Sequence, residues 1–146
     1  AQWVGVPVVN AGDGMHEHPT QGLLDALTLR QARGNLAGQT VAIVGDVSHS
    51  RVARSNIWCL TKLGATVRLV APPTLLPPDA HELPVEIHTD LHDGLRGANI
   101  VNVLRLQLER QSRALFPSAR EYSKRFGVTQ DALAVAAPDV LVLHPG

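Results

Sequence analysis

The sequence has little of several features that would each indicate a class of protein. Its single cysteine, Cys59, cannot form an internal disulfide, which fits a protein of the reducing cytoplasm. Lys plus Arg and Asp plus Glu both number 13, so no excess of charge favours nucleic acid or a membrane surface as a partner. No apolar run approaches the roughly 20 residues that span a bilayer. The first residues also lack the basic and apolar segments of a signal peptide.

What is present is typical of a globular domain. Of the 146 residues, 45% are apolar and 18% are charged, enough to build and to solubilise one sizeable core. The sequence starts without Met and close to strand-like residues, and it stops just after another strand-like run. We therefore expect it to be part of a longer chain.

Short apolar runs rich in Val and Ile alternate with helical patterns along most of the sequence. Strands are predicted at 40–46, 65–72, 84–90, 98–105 and 139–146. The first two flank a helix that places Ala53, Ile57 and Leu60 on one face and stops at Gly64, and shorter helices are expected after Asp90, Ser118 and Thr129. This alternation predicts an α/β fold, a Rossmann-like and mostly parallel sheet of about five strands flanked by helices. Ligands of such sheets bind beyond the carboxyl ends of the strands.

The first helix of the sequence stands apart from this unit. Pro19 suits its first turn, Gly34 ends it, and an apolar stripe is formed by Leu23, Leu24 and Leu27. It follows a strand-like run at 6–10. We expect a helix that connects two domains, with 1–34 as the end of one and 35–146 as the other.

The segment "HEHPTQ" at the start of that helix has three interpretations. His16 and His18 could be two ligands of a metal, but a zinc site needs three or four, and the other histidines lie in separate loops. The segment could simply cap the helix. It could also bind an anion or a carbonyl, because a helix N-terminus offers free N–H groups and His18 and Gln21 lie on one face. We expect no metal here.

Two arginines follow predicted strands. The loop "GDVSHSR" carries only Gly45 of the glycines that a dinucleotide needs, which opposes a nucleotide-dependent oxidoreductase, and no cofactor is expected. Arg51 begins the next helix, where it either faces the ligand crevice and suits a carboxylate or is simply a solvated residue of the first turn. Arg105 follows a later strand, and Gln107 points the same way in extended backbone. The stretch from Arg105 to about Pro117 is typical of a mobile binding loop.

Taken together, "NAGDGMHEHPTQGLLD", "VAIVGDVSHSRVARS", "VLRLQLER" and "VLVLHPG" resemble the aspartate carbamoyltransferase family, over essentially the whole chain. The resemblance implies transfer of a carbamoyl group from carbamoyl phosphate to L-aspartate, the committed step of pyrimidine biosynthesis. It assigns His18 and Gln21 as donors to the carbamoyl group, with His18 catalytic, and places the Gly146 backbone at the same substrate. Arg51, Arg105 and Gln107 correspond to the family's aspartate-binding residues. Thr20 stands where ornithine carbamoyltransferases have a cysteine, which favours aspartate.

The resemblance also implies what surrounds these residues. Residues 1–34 correspond to the end of the carbamoyl-phosphate domain and the interdomain helix, and 35–146 to most of the aspartate-binding domain. The family's phosphate-binding "STRT" loop and the loop contributed by a neighbouring subunit have no counterpart in the sequence. We therefore expect the 146 residues alone to be inactive. The whole enzyme is expected to be a cytoplasmic homotrimer with shared sites and with regulatory or pathway-enzyme partners. The alternative is a non-catalytic binding or assembly module with the same fold.

Overall fold

The computed structural model describes residues 3–106 and 118–145, which form one parallel five-stranded sheet with helices on both faces. The strands are β1 (Thr40–Val44), β2 (Thr66–Val70), β3 (Glu86–His88), β4 (Ile100–Val103) and β5 (Leu141–Leu143). The helices are α1 (Pro19–Arg33), α2 (Arg51–Lys62), α3 (Leu91–Leu95), α4 (Ala119–Phe126) and α5 (Gln130–Leu133), with two 3₁₀ turns at Pro73–Leu75 and Ala80–Glu82. The predicted α/β fold is confirmed.

Helix α2 forms where the apolar spacing predicts it. The Ser50 hydroxyl accepts the backbone N–H of Ala53 at 3.2 Å and so satisfies one free donor of the first turn. The three apolar residues of its inner face are buried, namely Ala53, Ile57 and Leu60. The helix ends before Gly64, whose φ of +84° only glycine adopts readily and which packs against Ala37.

Alternation along β1 divides the core into two layers. Val41 and Ile43 face the side that α2 covers, while Ala42 and Val44 face the side of α3, α4 and α5. All four of these side chains are at most 1% exposed. A strand buried on both faces is the central strand of the sheet, and β1 is therefore the most protected element of the fold.

Two expectations for the first 34 residues are wrong. The stripe of Leu23, Leu24 and Leu27 is more than half exposed, because α1 packs on α2 through its opposite face. There Gly22 allows the close approach, since a Cβ on it would lie 3.2 Å from Cβ of Ser55. Residues 6–10 do not form a strand, and no strand among the described residues pairs with them. Apolar residues alone do not make a strand without a neighbouring strand to accept their hydrogen bonds.

Candidate functional site

The strand order places the predicted ligand crevice at the end of β1. The sheet runs β3-β2-β1-β4-β5, so the chain leaves β1 toward one side of the sheet and returns to its other side at β4. Val44 of β1 is in register with Val103 of β4, and the strands are parallel. Their carboxyl ends therefore meet at the point where the order reverses, which is where open α/β sheets bind ligands.

The loop after β1 is held by a buried carboxylate. Asp46 is fully buried, and its Oδ1 accepts the Nδ1–H of His49 at 2.7 Å and the backbone N–H of the same residue at 3.3 Å. Ser50 then caps α2, and Arg51 is the first residue of that helix. These bonds fix the short path between the strand and the helix, and with it the place of Arg51 at the crevice.

The segment before α1 reaches the same arginine. A Cβ built on Gly12 would lie 2.7 Å from Nη1 and 2.9 Å from Cζ of Arg51. The Gly12 N–H donates to the Asn10 side chain at 2.9 Å, which shapes the turn. A side chain at position 12 would therefore displace the guanidinium, and the φ of +139° at Gly12 also favours glycine there.

His18 lies close to α2 as well. Its backbone N–H donates to the Ser55 hydroxyl at 2.8 Å, and that hydroxyl donates to the carboxylate of Glu17. The imidazole does not cap α1, because none of the first-turn N–H groups bonds to it. Its Nδ1 instead lies 3.2 Å from the Thr20 hydroxyl. The capping interpretation therefore does not account for the His18 side chain.

The metal interpretation has no further ligands in the structure. Within residues 3–106 and 118–145, no three His, Cys, Asp or Glu side chains come together as a metal site would require. His16 is exposed and faces Asp13 at 3.7 Å. Over the same residues, no helix is long and apolar enough to cross a bilayer.

Gln21 is bonded within the interface of the first two helices. Its Nε2 donates to Asp25 Oδ1 at 2.8 Å, and the Nδ2 of Asn56 donates to Asp25 Oδ2 at 2.7 Å. The donor that the resemblance assigns to the carbamoyl group is thus directed at Asp25 here. Burial and then the negative charge of Asp25 raise the pKa of the nearby Cys59 thiol.

Arg105 lies at the carboxyl end of β4, two residues beyond Val103, and its side chain is exposed. Both arginines follow strands, as predicted, and the structure adds that the two strands are adjacent. The other two predicted contacts, Gln107 and Gly146, lie outside the described residues.

The close packing between the ends of β1 and β4 was not predicted from the sequence. Gly45 has a φ of +129°, and a Cβ on it would lie 3.0 Å from Cβ and 3.1 Å from the carbonyl oxygen of Leu104. The Tyr122 hydroxyl closes the same spot from α4, where its ring stacks on Phe126 with centroids 5.7 Å apart. Burial, and then the charge of Asp46, raise the pKa of Tyr122 to about 12. In the sequence, the only indication of this packing was the spacing of Tyr122 and Phe126, which places their two rings one helical turn apart on the same face of a helix.

Comparisons with known proteins agree over the length of the chain. The family model described as aspartate/ornithine carbamoyltransferase, Asp/Orn binding domain, matches residues 37–146, and the corresponding carbamoyl-P binding domain matches residues 1–31. The aspartate carbamoyltransferase catalytic subunit of Desulforamulus reducens is 56% identical over all 146 residues, which cover 47% of that protein. The chain spans about half the length of the curated relatives it matches.

Solved structures give the same result. The aspartate transcarbamoylase of Trypanosoma cruzi in complex with carbamoyl phosphate superposes with a TM-score of 0.84 at 30% identity, over 97% of this chain and 48% of that one. The ornithine carbamoyltransferase of Gloeobacter violaceus superposes with a TM-score of 0.78 at 29% identity, over 99% of this chain and 50% of that one. The family model that covers residues 37–146 settles the assignment: the chain belongs to the aspartate/ornithine carbamoyltransferase family.

Proposed function

We propose that the chain supplies the aspartate-binding half of an aspartate carbamoyltransferase. The observation that carries this proposal is the place of Arg51 and Arg105, after adjacent parallel strands at the point where the strand order reverses. L-Aspartate has two carboxylates, and each guanidinium can fork onto one of them. The 56% identity to a protein named aspartate carbamoyltransferase catalytic subunit, and Thr20 in the "HPTQ" segment, support aspartate over ornithine.

In the proposed reaction the neutral α-amine of aspartate attacks the carbonyl carbon of carbamoyl phosphate. A C–N bond forms, the bond from that carbon to the phosphate oxygen breaks, and phosphate leaves with the electron pair. The attacking amine gives one proton to the departing phosphate, so the products are N-carbamoyl-L-aspartate and hydrogen phosphate. No covalent intermediate with the protein is required, because the rate comes from holding the two substrates in line and from stabilising the oxyanion.

His18 is the proposed donor to that oxyanion. We propose that the Thr20 hydroxyl donates to Nδ1 across their 3.2 Å contact, which leaves the proton of the neutral imidazole on Nε2. The Nε2–H then bonds to the carbamoyl oxygen as negative charge develops there. Gln21, in the first turn of α1, contacts the same carbamoyl group. Gln107 is proposed as a further contact of aspartate and the Gly146 backbone as a contact of carbamoyl phosphate, as the resemblance implies.

The division of the chain follows from the same proposal. Residues 1–34 are the end of a carbamoyl-phosphate domain with its connecting helix, and 35–146 belong to the aspartate-binding domain. The sheet and all its strands lie in the second part, and the two family models meet between residues 31 and 37. For the whole enzyme we propose a cytoplasmic homotrimer whose sites are shared between subunits. Light scattering that gives three chains per particle tests this assembly.

The activity is tested on the full-length chain that carries these residues. Purified protein is supplied with carbamoyl phosphate and either L-aspartate or L-ornithine, and the carbamoylated product and phosphate are both measured. The proposal expects equal amounts of carbamoyl aspartate and phosphate, and at least a hundredfold lower rate with ornithine. If the protein binds aspartate and forms no product, the chain is a binding module and the proposal is wrong.

A further inference from the structure

Asp25 is a buried carboxylate that no cation accompanies among the described residues. It is 7% exposed, in the middle of α1 and facing α2. Both of its oxygens accept hydrogen bonds, one from Gln21 and one from Asn56. Burying a carboxylate beside neutral partners is costly, and an apolar side chain of similar size would pack two helices at least as well. Helix packing alone therefore does not explain an acid at this position.

The carboxylate imposes an orientation on both amides. An ionised carboxylate only accepts hydrogen bonds, whereas a primary amide has a donating nitrogen and an accepting oxygen. Each amide must therefore turn its nitrogen to Asp25 and its oxygen away. For Asn56 this orientation is unfavourable, because its Oδ1 is buried without a hydrogen-bond partner in the described structure. The two amides thus both donate to Asp25, although this leaves the Asn56 Oδ1 without a hydrogen bond.

For Gln21 the same orientation faces the proposed site. Gln21 is partly exposed, in the first turn of α1 and three residues after His18, so the two side chains share one face of the helix. With Nε2 held by Asp25, the end of the amide directed away from the helix interface is Oε1. A ligand at the N-terminus of α1 therefore meets an acceptor from Gln21 beside a donor from His18.

We propose that Asp25 is a positioning residue that keeps Gln21 turned as an acceptor for the NH₂ group of carbamoyl phosphate. The inference rests on the proposed function. A carbamoyl group presents an oxygen and an NH₂ side by side, and a donor next to an acceptor matches that pair. Asn56 holds the carboxylate from α2 and prevents it from turning. The device distinguishes carbamoyl phosphate from acetyl phosphate, which has the same shape but a methyl group in place of NH₂.

The test compares these two ligands on the full-length enzyme. Dissociation constants of carbamoyl phosphate and acetyl phosphate are measured by calorimetry for the wild type and for Asp25→Leu. We expect the preference for carbamoyl phosphate to fall roughly tenfold, the loss that one hydrogen bond accounts for, while acetyl phosphate binds as before. Leu29→Ala is the matched control, because Leu29 is buried one turn along α1; it should lower Tm and leave the preference unchanged.

A charge exchange provides the rescue. In Asp25→Asn/Asn56→Asp the new amide at 25 donates to the carboxylate at 56 and still accepts from Gln21, so the preference should return. Gln21→Leu alone should abolish the preference for carbamoyl phosphate. Adding Asp25→Leu to that variant should not change the ratio of the two dissociation constants further. If Asp25→Leu does not fold, Asp25→Ala removes the acceptor without adding bulk, and the preference is expected to fall there too.

An unchanged preference in the folded Asp25 variant overturns the proposal and leaves Asp25 a structural residue. Failure of the proposed function is detected by a separate measurement, in which the wild-type enzyme does not carbamoylate aspartate. In that case the proposed role of Asp25 is wrong as well.

Discussion

Gly12 lies against the guanidinium of Arg51, with no room between them for a methyl group. Gly12→Ala is therefore expected to displace Arg51 and to weaken aspartate analogues such as succinate by roughly tenfold in the full-length enzyme, through loss of one arginine–carboxylate pair. The control is the same substitution in an Arg51→Ala background, where Gly12→Ala should weaken succinate no further if contact with Arg51 is responsible. A further loss in that background, measured by calorimetry, would mean that backbone strain at the Gly12 φ of +139° is responsible instead.

Arg105→Ala is expected to weaken aspartate or succinate far more than carbamoyl phosphate. A charge-assisted bidentate pair contributes about 1.5–3 kcal/mol, which is roughly 10- to 150-fold in affinity. Arg54→Ala serves as the control, since Arg54 is partly exposed on α2 and, within the described residues, forms its ion pair with Asp79 at 3.4 Å. Equal weakening of both substrates by Arg105→Ala would assign the arginine a structural role.

His18→Ala is expected to lower kcat by roughly 10²- to 10³-fold in the full-length enzyme, the usual loss for one oxyanion donor, with little change in folding. The neighbouring His16 is exposed and touches only Asp13 in the described structure, so His16→Ala should be nearly neutral. A chelator should have no effect on either enzyme. Similar damage from both alanines, or activity that a chelator abolishes, would restore the metal interpretation.

Gly45→Ala is expected to lower the free energy of unfolding by about 3 kcal/mol, because strain at its φ of +129° adds to a clash with Leu104. Gly97→Ala is the reference for a milder positive φ. Gly97 has a φ of +66°, in the left-handed region and in open space, and the alanine there should cost about 1 kcal/mol. Urea denaturation followed by circular dichroism measures both, and similar values would mean that neither the larger φ of Gly45 nor its clash with Leu104 adds a cost.

Tyr122 is the only tyrosine of the 146 residues, so its ionisation can be followed by absorbance near 295 nm. The pKa of this hydroxyl is about 12 in the folded chain and about 10 in the unfolded chain. Its contribution to the free energy of unfolding is therefore fully present below pH 10. That contribution, about 3 kcal/mol for a pKa raised from about 10 to about 12, is lost as the pH rises from 10 to 12. Tyr122→Phe keeps the ring stacked on Phe126 and should remove this loss. An absorbance midpoint near pH 10 in the folded chain would contradict the prediction.

The residues that the sequence predicted correctly are those whose neighbours are dictated by the sheet. Ala53, Ile57 and Leu60 face β1 because a helix between two parallel strands has only one side to bury. The positions of Arg51 and Arg105 after strands follow from the same topology, since parallel strands end at one edge, while their role as aspartate contacts stays a prediction. In both cases local spacing and the overall fold agree.

The first helix shows why the rest could not be predicted. Its most apolar residues, Leu23, Leu24 and Leu27, are exposed, and its inner face carries Gly22 and the charged Asp25. Hydrophobic periodicity predicts that a stripe of leucines is the buried face. It does not predict a buried carboxylate that accepts hydrogen bonds from Gln21 and Asn56. Likewise the close approach of Gly45 to Leu104 joins residues far apart in sequence, and it appears only when β4 is laid beside β1.

The central place of β1 also bears on how the site is assembled as the chain folds. Thr40 pairs with Thr66 across a single helix, whereas Val41 pairs with Ile100 across two further strands and their connections. Closing the shorter loop costs less entropy, so the unit of β1, α2 and β2 is favoured to form first, with Arg51 already in place. Arg105 joins it only when the chain has returned to the far side of β1. The proposed two-arginine site is therefore complete only after β1 has paired with β4, and this pairing joins the partners farthest apart in sequence among the described strands.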